Sequence, residues 1–132
     1  MKSRIDIAKV SPAAYRAMAT LEQYVHSSSL EPGLIHLLKF RASQINGCAY
    51  CLDMHSKDAR ALGETEQRLY GLDAWRETPY YTDRERAALA WIEALTLIRE
   101  GHVEDEVFEE ARKVFNEQEL VDLSMLAVAI NG

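Results

Sequence analysis

Residues 82–101 constrain this chain more than any other stretch. Thr82-Asp83-Arg84-Glu85 reads as a capping box, with Thr82 as the cap and Glu85 reaching back. The helix it opens carries Ala87, Ala88, Leu89, Ala90, Trp91, Ile92, Ala94, Leu95, Leu97 and Ile98, and Gly101 closes it. A helix that is apolar on every side has to be surrounded, by its own domain or by neighbouring subunits. Such a segment belongs at the centre of a helical assembly.

The remaining punctuation is helical too. Ser11-Pro12 is a cap followed by a first-turn proline, and Ala14, Met18, Leu21 and Val25 recur behind it at helical spacing. A second helix starts near Leu34, with Leu34, Leu37, Leu38 and Ile45 on one stripe, and Asn46-Gly47 interrupts it. A third runs from about Cys48 to Leu62 and stops at Gly63, and a short fourth covers residues 66–75. A loop with aromatic residues follows at 76–81. Residues 105–115 form a further helix, and Asn116-Glu117-Gln118-Glu119 is a second capping box before residues 120–130. No stretch alternates apolar and polar residues long enough for a strand. The expectation is one all-α domain over residues 1–132, built from six or seven helices. The central apolar helix and the aromatic loop favour a homo-oligomer.

With 132 residues the chain is long enough for one core that needs no staples. Lys plus Arg number 15 and Asp plus Glu 21, a net charge of −6. The positive excess that nucleic acid or an anionic membrane surface demands is missing. Residues 1–6 show no apolar stretch after their basic residues, so no secretory signal is read there, and residues 87–98 are too short to span a bilayer. The expected setting is cytoplasmic. Structural disulfides are rare there, so a cysteine pair points to catalysis, redox activity or metal binding.

The two cysteines stand in Cys48-Ala49-Tyr50-Cys51-Leu52-Asp53-Met54-His55. Three residues apart on a helix, their Cα atoms lie about 5 Å from each other, within disulfide range. His55 is one turn beyond Cys51 on the same face. The start of a helix favours a thiolate, and a dithiol with an adjacent base can attack an electrophile, close a disulfide and be re-reduced. The helix dipole favours Cys48 as attacker, whereas the imidazole favours Cys51. A specific partner one turn away outweighs a partial charge, so Cys51 is read as attacker and Cys48 as resolver. Buried inert thiols are the alternative. A zinc site is disfavoured, because Cys48 and His55 are about 10 Å apart along the axis.

This segment, extended back through Arg41-Ala42-Ser43-Gln44-Ile45-Asn46-Gly47, resembles the AhpD-like alkylhydroperoxidases of the carboxymuconolactone decarboxylase superfamily. Leu72-Asp73-Ala74-Trp75-Arg76-Glu77-Thr78-Pro79 and the stretch from Thr82 to Trp91 carry the same resemblance. It implies an all-helical fold, trimers or hexamers, and reduction of organic hydroperoxides. No cofactor is expected, because no Gly-rich phosphate cradle or haem motif appears in the sequence, and no metal is expected from the cysteine spacing. The resemblance makes Cys51 peroxidatic, Cys48 resolving and His55 part of a proton relay. Its implied reductant is a dithiol or lipoylated protein. Lactone decarboxylases in the superfamily typically lack the two cysteines.

One position departs from the family pattern. The relay glutamate expected twelve residues before the first cysteine is His36, which titrates near neutral pH but holds no fixed negative charge. Glu93, the single charge in the apolar run, is the best replacement acid; it should find a partner or take an elevated pKa. A salt bridge to a neighbouring helix is the structural alternative for it. His26 and His102 read as surface residues and Asp53 as solvated. Two rival functions fit the same residues: a protein disulfide reductase or redox relay using the same thiols, and a non-enzymatic helical assembly module.

Overall fold

The computed structural model describes residues 4–132; Met1, Lys2 and Ser3, the start of the segment read above for a leader, lie outside the described residues. The described residues form helices and no strand: α1 (Ile7–Val10), α2 (Pro12–His26), α3 (Pro32–Asn46), α4 (Ala49–Ala61), α5 (Glu66–Tyr70), a 3-10 turn (Leu72–Ala74), α6 (Asp83–Thr96), α7 (Ile98–Gly101), α8 (Asp105–Val114) and α9 (Glu117–Asn131). Both capping boxes form, Thr82 with Glu85 and Asn116 with Glu119.

The count exceeds the expected six or seven because two segments break and a short helix, α1, stands before Pro12. The segment read as one helix over residues 66–75 divides at Gly71, where an added Cβ would meet the Gln67 carbonyl at 3.2 Å and the Tyr80 ring at 3.4 Å. That glycine lets the aromatic loop close against the helix. The central helix ends at Thr96, and a separate turn, α7, carries Ile98. Leu97 and Ile98 are 36% and 43% exposed, so the apolar run outlasts the packing that surrounds it.

Helix α6 packs against α3, α8 and α9, while α3 also packs against α4 and α9, and α2 against α9. The chain itself therefore surrounds the apolar helix: Ala88, Leu89, Trp91 and Ile92 are buried together with Leu34, Ile35, Leu38, Leu123 and Leu126. The aromatic loop is satisfied within the chain as well. Trp75 and Tyr81 are buried, and the Tyr81 hydroxyl donates to the Arg68 carbonyl. Neither feature calls for a second subunit. Exposed apolar side chains lie elsewhere, at Ile7, Val10 and Tyr15 near the N-terminus and at Val121 and Val128 on α9.

One buried polar residue ties α2 to α9. Asp122 accepts hydrogen bonds from the Tyr24 hydroxyl at 2.7 Å, the Ser29 hydroxyl at 3.0 Å and the Gln118 amide at 3.0 Å. A buried carboxylate is tolerable only when so partnered. The α3–α4 corner places the cysteines. Gly47 takes φ 62°, a left-handed value that glycine adopts without strain, and the Cys48 N–H bonds back to the Ser43 carbonyl at 3.1 Å. The chain reverses there and lays α4 along α3.

Candidate active site: a dithiol beside a buried histidine pair

Cys48 is not inside α4 but caps it. Its Sγ accepts from the Cys51 backbone N–H at 3.3 Å, so one of the free amides of the first helical turn points at sulfur. Cys48 and Cys51 are joined by a disulfide, with Cα atoms 5.3 Å apart. Both residues are half-buried. Exposed Tyr50 and Met54 flank them on the same helix. A groove of about 610 Å³ runs beside the later turns of α4, lined by Phe40, Ser56, Arg60, Leu69 and Tyr70.

His55, one turn beyond Cys51, is buried, 5% exposed. Its ring lies 6.2 Å, centroid to centroid, from that of His36 on α3, and the His36 ring lies 5.4 Å from that of His26 at the end of α2. Asp58, on the next turn of α4, brings Oδ2 to 4.0 Å from His36 Nδ1 and 3.9 Å from His55 Nδ1. The structure thus brings His36 to His55. The His36 side chain is only 13% exposed and does not behave as a surface histidine.

The sequence reading missed Lys39. It is 1% exposed, its ammonium is ion-paired with Glu22, and Nζ lies 3.1 Å from His26 Nε2. His26, read as a surface residue, is exposed but tethered, with Nε2 3.0 Å from Glu22 Oε1. Lys39 is the one cation in the apolar run 34–40, the same kind of signal that singled out Glu93. Glu22 and Asp58 gave no such signal, since each sits among other polar residues on its helix.

These neighbours set the charge of the imidazoles. Burial pushes His55 down to about 4, and the positive charge of Lys39 and the nearby His36 push the same way, with Asp58 opposing. Burial also lowers His36, again against Asp58. Burial takes Lys39 down to about 8, Asp58 once more opposing. At neutral pH His55 is therefore an uncharged imidazole, a form that accepts a proton.

Glu93 sits elsewhere. Its carboxylate accepts from Arg41 Nε at 2.8 Å, Trp75 Nε1 at 2.8 Å and an Arg76 guanidinium nitrogen at 2.6 Å. Burial alone would raise its pKa, but these three donors outweigh burial and hold it below the ordinary carboxylate value. It has found partners rather than an elevated pKa, and it is not among the charges that act on His55. Asp53 is exposed and paired with Lys57 at 2.7 Å, and His102 lies exposed in a loop with φ 56°.

Residues 12–94 match the carboxymuconolactone decarboxylase family. The chain belongs to that family. Its relatives include an uncharacterised protein of Bacillus subtilis (strain 168), YdfG, 41% identical over 100% of this chain and 90% of the relative. An uncharacterised protein of Escherichia coli (strain K12), YnjA, is 28% identical over 75% of this chain and 54% of its own length. The crystal structure of ATU0492 from Agrobacterium tumefaciens superimposes with a TM-score of 0.94 at 48% identity, covering 98% of this chain and 89% of that one. ATU0492 is described as a protein of unknown function and a candidate antioxidant defence protein AhpD. The AhpD-like resemblance read from the cysteine motif and the family match agree, and a Cys48–Cys51 pair able to form a disulfide fits a redox role. No helix among the described residues is long and apolar enough to cross a membrane.

Proposed function

We propose that this protein is a thiol peroxidase that reduces organic hydroperoxides. The observation that carries the reading is the disulfide-bonded Cys48–Cys51 pair at the start of α4, with a buried His55 one turn beyond. In the reduced protein His55 takes the Cys51 thiol proton directly or through water. The Cys51 thiolate attacks the distal peroxide oxygen, an S–O bond forms as the O–O bond breaks, and the alcohol leaves after taking a proton. The Cys48 thiol then displaces water from the sulfenic acid and closes the disulfide. An external dithiol, free or carried on a protein, returns two electrons and two protons.

His36 stands where the family pattern has a carboxylate, and it serves as the next proton carrier behind His55. Both rings are held low by burial, so the relay works with neutral imidazoles rather than with a standing thiolate–imidazolium pair. Exposed Tyr50 and Met54 beside the sulfurs suit contact with a protein reductant. The same contact serves the rival reading, reduction of protein disulfides. The exposed apolar residues of α1, α2 and α9 are the surface proposed for self-association in a cytoplasmic homo-oligomer.

Turnover of cumene hydroperoxide with dithiothreitol tests the assignment, in parallel with reduction of a protein disulfide. Wild type should consume peroxide, and Cys51→Ser should abolish consumption. Cys48→Ser should form a sulfenic acid once and then stop. Peroxide consumption unchanged by Cys51→Ser, or a clear preference for the protein disulfide, would overturn it.

A further inference from the structure

The inner side of the α3–α4 pair holds three donor atoms that no hydrogen bond accounts for. His36 Nδ1 and His55 Nδ1 stand 4.0 and 3.9 Å from the same oxygen, Asp58 Oδ2, beyond hydrogen-bond range. Both nitrogens are buried and without a hydrogen-bond partner. Buried polar atoms are nearly always partnered, so two orphans facing one carboxylate need a physical reason. All three atoms lie within 4.8 Å of one another. Ligand atoms each about 2 Å from a tetrahedral ion lie about 3.3 Å apart, so side-chain shifts that bring the widest pair about 1.5 Å closer would close this trio on one ion.

The donor chemistry narrows the ion. Two imidazole nitrogens and one carboxylate oxygen suit borderline divalent transition metals, zinc above all, and leave room for a water ligand. Calcium and magnesium prefer all-oxygen shells. Asp58 is half-exposed and offers a way in from solvent. The sulfurs take no part, since Cys48 and Cys51 are bonded to each other.

We propose that His36 Nδ1, His55 Nδ1 and Asp58 Oδ2 bind one divalent transition-metal ion of the zinc type. The site shares residues with the proposed relay but does not rest on the peroxidase reading. If that reading holds, the ion occupies the lone pair on His55 Nδ1 and slows the enzyme.

The test uses the full chain in its disulfide form, stripped with a chelator and titrated with Zn²⁺ and Co²⁺ by calorimetry and visible absorption. Wild type should take up one ion per chain, with no sulfur-to-cobalt charge-transfer band. Loss of an outer partner alone weakens metal sites about 10- to 100-fold, so losing a direct ligand in Asp58→Asn or His36→Gln should weaken binding at least about tenfold. Asp53→Asn, at an exposed position on the same helix, should bind as wild type does. Absence of uptake by wild type at neutral pH, or equal uptake by Asp58→Asn, would overturn the proposal. Asp58 is half-exposed and its amide variant keeps the fold, which circular dichroism checks, so the outcome does not depend on His36→Gln folding. Metal uptake by a protein that shows no peroxide turnover when chelator-stripped would leave this site standing and remove the peroxidase reading.

Discussion

The Lys39 ammonium, buried on α3, is ion-paired with Glu22 of α2 and stands 3.1 Å from His26 Nε2. A buried cation of this kind contributes little net stability, because desolvation cancels most of the attraction. Replacing it with an apolar residue of similar length is expected to leave unfolding free energy within about 1 kcal/mol of wild type, or to raise it. Glu22→Gln leaves the ammonium without its partner and should cost about 1–3 kcal/mol, limited by water reaching the half-exposed position. Urea unfolding of Lys39→Met and Glu22→Gln checks both.

Lys39 also acts on His55, where its charge works with burial to hold the ring at about 4. Removing that charge makes protonation easier. The His55 titration in Lys39→Met, followed by NMR with chelator present, should therefore move upward from wild type. An unchanged His55 midpoint would show that the lysine charge does not reach the ring.

The depressed His55 value has a consequence for acid stability. The folded value of about 4 lies below the ordinary 6.5, so from 6.5 downward the unfolded chain binds a proton that the folded chain refuses. Stability is complete above pH 6.5 and falls as the pH drops toward 4, by up to about 1.4 kcal/mol per unit for one group. His36, lowered from 6.5, adds in the same direction below that value. Glu93 and Asp122, both lowered, contribute stability above their ordinary values of 4.5 and 3.8 and lose it lower still, as the pH falls through their folded values. Denaturant midpoints of metal-free protein at pH 7, 5.5 and 4.5 should descend steadily. A flat profile over that range would contradict the assignment.

Glu93→Gln is expected to be a stability mutation. It removes the anion shared by Arg41 and Arg76 and weakens the acceptor for Trp75. The loss should be about 2–4 kcal/mol, while peroxide turnover per folded molecule stays near wild type. A collapse of turnover in folded Glu93→Gln would restore it as the relay acid.

His36→Glu places a carboxylate beside His55. A negative neighbour favours the protonated imidazole and, through it, the Cys51 thiolate, so turnover at pH 7 should rise several-fold and the rate-against-pH curve should shift to lower pH. His36→Ala should lower turnover; a rate unchanged by His36→Ala would make this histidine a bystander.

The helical frame and the place of the thiols were legible in the order of the residues. Capping boxes, apolar spacing and the Asn46-Gly47 break are local signals, written in residues a few positions apart, and the corresponding helices form where those signals stand. The i, i+3 spacing of Cys48 and Cys51 likewise fixed their proximity once α4 started directly after Cys48. The breaks at Gly71 and Leu97 were not legible, because close approach of Tyr80 and the end of the surrounding packing are properties of distant segments. The electrostatics of the site belonged to the tertiary structure alone. Lys39 and Glu22, His26 and His36, and His36 with Asp58 each meet across helix interfaces, and charge acts through space with no regard for separation along the chain. The same holds for Glu93: its isolation in an apolar run was visible in the sequence, but only the fold supplied Arg41, Trp75 and Arg76 to hold it ionised.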